Sequence, residues 1–159
     1  AAKKLEASRR SIRSDVDFVL TFEELQGMFE AKNVRFEDIP KEEEVPLNKG
    51  TGAGRGFAVT GGVAGAVVDA IHRIDPDREV KVASAEGLDN CRKMLLLAKA
   101  GKYNGYLLEG MACPGGCVAG AGTIQPVARS AAAISKYSRE ADRQNAMDSE
   151  YELDLPLLE

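Results

Sequence analysis

The chain reads as an α/β protein with a mainly parallel sheet, and three observations predict it. Short runs of β-forming residues alternate with segments whose apolar residues recur at helical spacing. The helical segments carry recognisable start and stop signals. The last strand-like run, Tyr106-Leu107-Leu108, feeds directly into a glycine-rich loop that holds two of the three cysteines. In sheets of this kind ligands gather beyond the carboxyl ends of the strands, so that loop is where chemistry is expected.

Residues 1–14 are polar and basic, with Lys3, Lys4, Arg9, Arg10 and Arg13, and read as a solvated start. Val16-Asp17-Phe18-Val19-Leu20 is short and rich in β-formers, which predicts a buried strand. Thr21-Phe22-Glu23-Glu24 is a capping box, in which hydroxyl and carboxylate satisfy free N–H groups at a helix start. That helix should run to about Ala31, with Leu25, Met28 and Phe29 on its apolar face and Lys32-Asn33 closing it. Residues 37–49 are acidic and punctuated by proline, as in a surface loop.

A glycine-rich stretch, Gly50 to Gly56, precedes Phe57-Ala58-Val59-Thr60-Gly61-Gly62. A helix should begin near Gly62, because Val63, Val67, Ala70, Ile71 and Ile74 recur at helical spacing. The stretch lacks both Gly-Lys-Ser/Thr and a strand–GxGxxG–helix unit, so close packing is expected there, not phosphate binding. His72, the only histidine, falls near the C-terminus of that helix with no second ligand at metal spacing, and reads as structural. Asp75-Pro76-Asp77 makes a turn, Glu79 to Ala83 a strand, and Leu88 to Ala100 a helix ended by Gly101. Leu88, Cys91, Leu95 and Ala98 share a face of that helix, which makes Cys91 a small core residue and not a ligand. Beyond the loop, Gln125-Pro126 opens a helix from Val127 to about Arg143. Residues 1–145 are expected to form one lobe, and residues 146–159 an acidic tail.

The totals exclude several classes. A length of 159 residues suffices for one domain with its own core, and 44% hydrophobic with 29% charged residues is ordinary for a soluble chain. A net charge of −4 without a basic stripe gives no reason to expect nucleic acid. No apolar run approaches the roughly 20 residues of a membrane span, and no secretory signal opens the chain. Three cysteines are an odd number and too few for a disulfide scaffold, so a reducing cytoplasm is the expected home.

The loop reads Glu109-Gly110-Met111-Ala112-Cys113-Pro114-Gly115-Gly116-Cys117-Val118-Ala119-Gly120-Ala121-Gly122. Its small residues let backbone approach a bulky ligand. Pro114 bars a regular helix between the cysteines, and a helix is expected to start at about Cys117. A thiolate at a helix N-terminus is favoured by the dipole and by free N–H groups, which suits soft metals and iron–sulfur clusters. Two thiols without a second pair make a poor zinc site. A four-iron cluster normally takes four cysteines, so the chain alone falls short of one.

The string Glu109-x-Met111-x-Cys113-x-x-Gly116-Cys117 resembles the third signature of the iron-only ([FeFe]) hydrogenases. Lys3 and Glu6 match the Lys and Glu of the second signature, whose cysteine would fall one position before Ala1. The strand and capped helix at residues 16–31 and the Thr60-Gly61-Gly62-Val63 turn also resemble that family, where such a turn lies near the active-site pocket. The resemblance covers most of residues 2–126. It implies the C-terminal lobe of the catalytic domain, with a mainly parallel sheet of four-stranded type flanked by helices, and a missing N-terminal lobe as its partner.

It further implies that Cys113 and Cys117 ligate a 4Fe-4S cubane, Cys117 also bridging to a linked di-iron unit. Met111 would pack against that unit, and Lys3 would hydrogen-bond a cyanide on it. Gly116, Thr60 and Gly61 would line the cofactor. The implied reaction is reversible interconversion of H2 with protons and electrons, with ferredoxin or a similar carrier as electron partner. The isolated chain is expected to be inactive and to hold no cofactor. One departure stands out. The family usually runs x-x-Gly-Gly-Gly-Gln-Pro after the second cysteine, where this chain has Val118-Ala119-Gly120-Ala121-Gly122-Thr123-Ile124-Gln125-Pro126, which suggests a divergent subgroup. The alternative is a hydrogenase-like iron–sulfur protein acting in cluster assembly or sensing without H2 turnover.

Overall fold

A computed structural model of the chain describes residues 2–8, 16–40 and 50–150, and of residues 2, 3 and 6 the backbone alone. It divides into two units, Ala1–Val45 with Gly120–Ile124, and Pro46–Ala119 with Gln125–Glu159.

The first unit is helical. α1 (Ala2–Ser8) forms where the polar composition alone predicts a solvated coil. α2 (Phe22–Ala31) begins at the expected capping box: Glu24 N–H donates to Thr21 Oγ1 at 3.1 Å, and Thr21 N–H donates to Glu24 Oε2 at 2.8 Å. It ends at Lys32 and at Asn33, whose φ of 53° turns the chain out of the helix. The Lys4 ammonium of α1 pairs with the Glu24 carboxylate of α2. Leu25 and Phe29 turn partly inward, whereas Met28, expected on the same face, is exposed. Phe29 meets Phe36 edge-on at 5.1 Å.

Residues 16–20 are not a strand. Among the described residues of this unit no neighbouring strand offers a ladder, and Phe18 is 85% exposed. β-forming side chains favour extended backbone, but a strand exists only where a second one supplies its hydrogen bonds. Gly122, at φ +99°, passes close beside Thr21, and its carbonyl accepts from Phe22 N–H at 3.0 Å.

The second unit holds the sheet. β1 (Lys81–Glu86) and β2 (Tyr106–Met111) pair in parallel, from Lys81 opposite Tyr106 to Glu86 opposite Met111. The parallel sense agrees with the sequence, but the described residues supply two strands, not the four-stranded type expected. α5 (Leu88–Lys99) connects the two strands and packs on both. Its inward face is Cys91, Met94 and Ala98. Leu88 and Leu95, expected beside Cys91, are 73% and 60% exposed. The spacing gave helix but not its rotation, because α5 is apolar on more than one side.

α3 (Gly52–Arg55) and the short turn after it pack on α6 (Val127–Arg139). Ser138 Oγ donates to the Gly52 carbonyl at 2.7 Å, and Gly52 N–H donates to the Arg143 carbonyl at 2.7 Å. A side chain at Gly52 would run into Ser138 and Gln144, so this glycine-rich stretch serves close packing, as expected. α6 opens at Val127 as expected, with Pro126 as its N-cap, and ends four residues earlier than predicted, at Arg139. Beyond it, Asn145 bonds the Asp69 carbonyl at 3.2 Å, and Arg73 pairs with Asp148 at 3.2 Å, which ties residues 145–148 to α4 (Gly62–Ile74).

Candidate functional site

The cysteine loop leaves β2 at Met111 and turns at once. Gly116 N–H donates to the Cys113 carbonyl at 2.9 Å across Pro114-Gly115. Proline second and a glycine with φ +93° third are the demands of a type II turn, which only glycine meets easily. Gly116 follows at φ +91° and is buried. The predicted helix at Cys117 is one 3-10 turn, Cys117–Ala119. Glycines on both sides leave too little helix for a strong dipole at Cys117. Cys113 is half-buried, Cys117 is exposed, and both thiols are free.

The loop is packed on the turn that starts α4. A Cβ placed on Gly116 would lie 2.7 Å from the Ala58 carbonyl oxygen and 2.8 Å from Thr60 N. Any side chain at residue 116 would therefore separate the two segments. The structure thus sets Gly116, in the segment between Cys113 and Cys117, directly against Ala58 to Thr60. Thr60 Oγ1 is buried and, among the described residues, has no hydrogen-bond partner.

Glu109 joins the same two segments from below the loop. This carboxylate is 7% exposed and accepts from Gly61 N–H at 2.7 Å and from Ala64 N–H at 3.1 Å. Gly61, with φ +85°, is the N-cap of α4 and has no side chain to satisfy the first N–H groups. A strand residue some 45 positions away supplies the cap instead. The sequence carried half of this signal, since a helix opening on Gly-Gly must find its acceptor elsewhere. Nothing local named Glu109.

The other candidates fall as follows. Met111 ends β2 and is half-buried beside the loop. Lys3 lies in α1, and its side chain is outside the described residues, as is that of Glu6. Cys91 Sγ sits 3.5 Å from the Ala85 carbonyl and 3.6 Å from the Met111 carbonyl, a buried-side contact of a small core residue. His72 bonds the Arg78 carbonyl at 3.1 Å through its ring N–H, in keeping with a structural role.

The donor set fits part of an iron–sulfur centre. Two free thiols on a loop of small residues suit a soft, bulky group. Among the described residues, no group of three or more His, Cys, Asp or Glu side chains stands ready to hold a metal ion. The loop offers half of the four thiolates of a cubane.

Comparison with known proteins agrees with this chemistry. A family model described as iron only hydrogenase large subunit, C-terminal domain, matches residues 1–121. The chain is 32% identical, over 76% of its length, to the NADP-reducing hydrogenase subunit HndD of Solidesulfovibrio fructosivorans. It is also 32% identical, over 79% of its length, to the periplasmic [Fe] hydrogenase large subunit of Nitratidesulfovibrio vulgaris. A shorter match, 37% identical over 51 residues, links it to the nuclear prelamin A recognition factor of Xenopus laevis. The chain spans only 26% and 37% of the length of the two hydrogenase relatives. On the match over residues 1–121 and the identity to both subunits, the chain belongs to the iron-only hydrogenase large subunit family, within its C-terminal domain.

Proposed function

We propose that this chain is the C-terminal lobe of a catalytic domain that reversibly interconverts H2 with protons and electrons. The observation that carries the proposal is the junction of the Cys113–Cys117 loop with the Thr60-Gly61 turn, closed by Gly116 and held by Glu109. Cys113 and Cys117 would hold a 4Fe-4S cubane, with Cys117 also serving a linked di-iron unit. When bound, that cofactor would relay electrons and provide the site at which protons and H2 interconvert. The chain's own residues bind and orient it. The glycine-rich turn would let backbone come close without steric conflict, Met111 would lay a polarizable thioether beside it, and Lys3, as the resemblance implies, would supply a positive hydrogen-bond donor.

The remaining thiolates and the cover over the site would come from an N-terminal lobe, and the electrons from a ferredoxin-type carrier. Cys91 is no substitute ligand, because its thiol is engaged with backbone carbonyls between α5 and the sheet. Among the described residues no helix is long and apolar enough to cross a membrane. The cytoplasmic reading rests on the cysteine count alone, three being too few for a disulfide scaffold.

A second reading is a hydrogenase-like iron–sulfur protein that assembles or senses clusters without turning over H2. One relative, matched over 51 residues, is named as a nuclear prelamin A recognition factor and not as a hydrogenase, so the test keeps a reading without H2 turnover. The test is anaerobic iron–sulfide reconstitution followed by maturation with a di-iron unit, on the 159-residue chain and on the full-length protein that contains it. H2 evolution by the full-length protein alone is the expected result. Evolution at enzymatic rates by the short chain would refute the incomplete-lobe proposal. Iron uptake without any H2 turnover in the full-length protein would favour the second reading.

A further inference from the structure

α4 turns small residues inward and leaves larger ones outside. Ala64 and Ala66 are buried, while Val63, Val67 and Ile74 are 37%, 38% and 73% exposed. With the half-buried Ala70 these three fall at i, i+4, i+7 and i+11, an apolar stripe from the first turn of the helix to its last. Apolar side chains in such a row gain by being covered. The chain itself returns to the end of this stripe. Asn145 bonds the Asp69 carbonyl, and Asp148 pairs with Arg73, the neighbour of Ile74. Glu150, two residues on, pairs with Arg143 at 2.8 Å. The next residues, Tyr151-Glu152-Leu153-Asp154-Leu155-Pro156-Leu157-Leu158-Glu159, lie outside those described and belong to the same unit as α4.

The pattern of that segment matches the stripe. Tyr151, Leu153, Leu155 and Leu157 alternate with Glu152, Asp154 and Pro156, so extended backbone puts the four apolar side chains on one edge and the acids on the other. The lengths agree as well. Tyr151 to Leu157 spans about 20 Å at the rise of a strand, and Val63 to Ile74 about 16 Å at the rise of a helix. Pro156 has no N–H to give a sheet, which suits an extended segment that lies on a helix. We propose that residues 151–159 lie as an extended strap along the exposed stripe of α4, with their leucines against Val63, Val67 and Ile74 and their acids toward solvent. The strap starts from the helix end that the chain has already reached at Arg73 and runs back to the first turn. It thereby braces the helix whose N-terminus Glu109 caps.

The test is NMR of the metal-free 159-residue chain, labelled at the methyl groups of Val, Leu and Ile. NOEs should join the methyls of Val63, Val67 and Ile74 to those of Leu153, Leu155 and Leu157, and should persist on dilution. The double variant Leu155→Ser, Leu157→Ser should shift the α4 methyl signals and melt a few degrees lower than wild type. Glu152→Gln, on the outer edge of the strap, should do neither. Wild-type chain without these NOEs would overturn the proposal, whatever the variants do. NOEs that join labelled to unlabelled copies in a mixed sample would assign the stripe to a second copy. Stripe methyls that become shielded only in the full-length protein would assign it to the N-terminal lobe. Either result would overturn the strap. The readout needs no iron, so its failure leaves the proposed H2 chemistry standing, and the failure of that chemistry leaves the strap standing.

Discussion

Two side chains carry predictions on their own. Glu24 is the clearest electrostatic feature. The hydrogen bond from the Lys4 ammonium, and then the one from Thr21 N–H, lower its carboxyl from the ordinary 4.5 to about 2. A depressed folded-state value stabilises the fold above the unfolded value, and that contribution is lost as pH falls from about 4.5 through about 2. The pair is open to solvent, so its energetic weight is small. NMR titration of the Glu24 carboxyl should give a midpoint near the lower value, and Lys4→Ala should raise it toward 4.5. The second prediction concerns the thiols. Cys91→Ala should remove a contact worth about 1 kcal/mol and leave iron content untouched. Cys117→Ser in the full-length protein should lose iron, because an alkoxide is a harder and poorer ligand. Equal iron loss in the two variants would refute the assignment of Cys91 to the core.

At the scale of elements, α4 and β2 act as one device through Glu109. Its two accepted hydrogen bonds fix the start of α4 against the strand that delivers the cysteine loop. Glu109→Ala leaves the Gly61 and Ala64 N–H groups without their acceptor, at a cost of about 2 kcal/mol. Native-state hydrogen exchange at those two amides should accelerate by roughly ten- to thirtyfold, the equivalent of that cost. Glu109→Gln, which keeps one acceptor oxygen, should fall between. Unchanged exchange at Gly61 in Glu109→Ala would show that the cap is not held by this carboxylate. The contrast with α2 explains what the sequence could reveal. Thr21 and Glu24 cap their own helix within four residues, so the pattern is legible in the string itself. The cap of α4 comes from another element, and no local pattern records it. Val16–Leu20 fails for the same reason from the other side: its propensity is local, but the pairing that makes a strand is not. The cysteine loop was legible because Pro114, Gly115 and Gly116 dictate the turn through their own backbone limits.

At the scale of the whole molecule, the interior is thin. Among the described residues, the buried apolar ones are Ala64, Ala66, Met94 and Ala141, and none of the described side chains is fully enclosed. Three alanines and one methionine withdraw little surface from water, while Phe18, Ile74 and Leu88 remain more than 70% exposed. Such a core opposes the entropy of ordering the chain only weakly. The glycines of the cysteine loop add to that entropy, and the groups proposed to hold the loop, a cluster and a second lobe, lie outside this chain. In the metal-free 159-residue chain the amides of residues 112–122 should therefore exchange close to the unprotected rate, while those paired between β1 and β2 stay protected. In the full-length protein loaded with iron, the same loop amides should slow by at least tenfold. Strong protection across the loop in the metal-free short chain would mean that Gly116 and Glu109 suffice to fix it, and the site would then be preformed before any cofactor arrives.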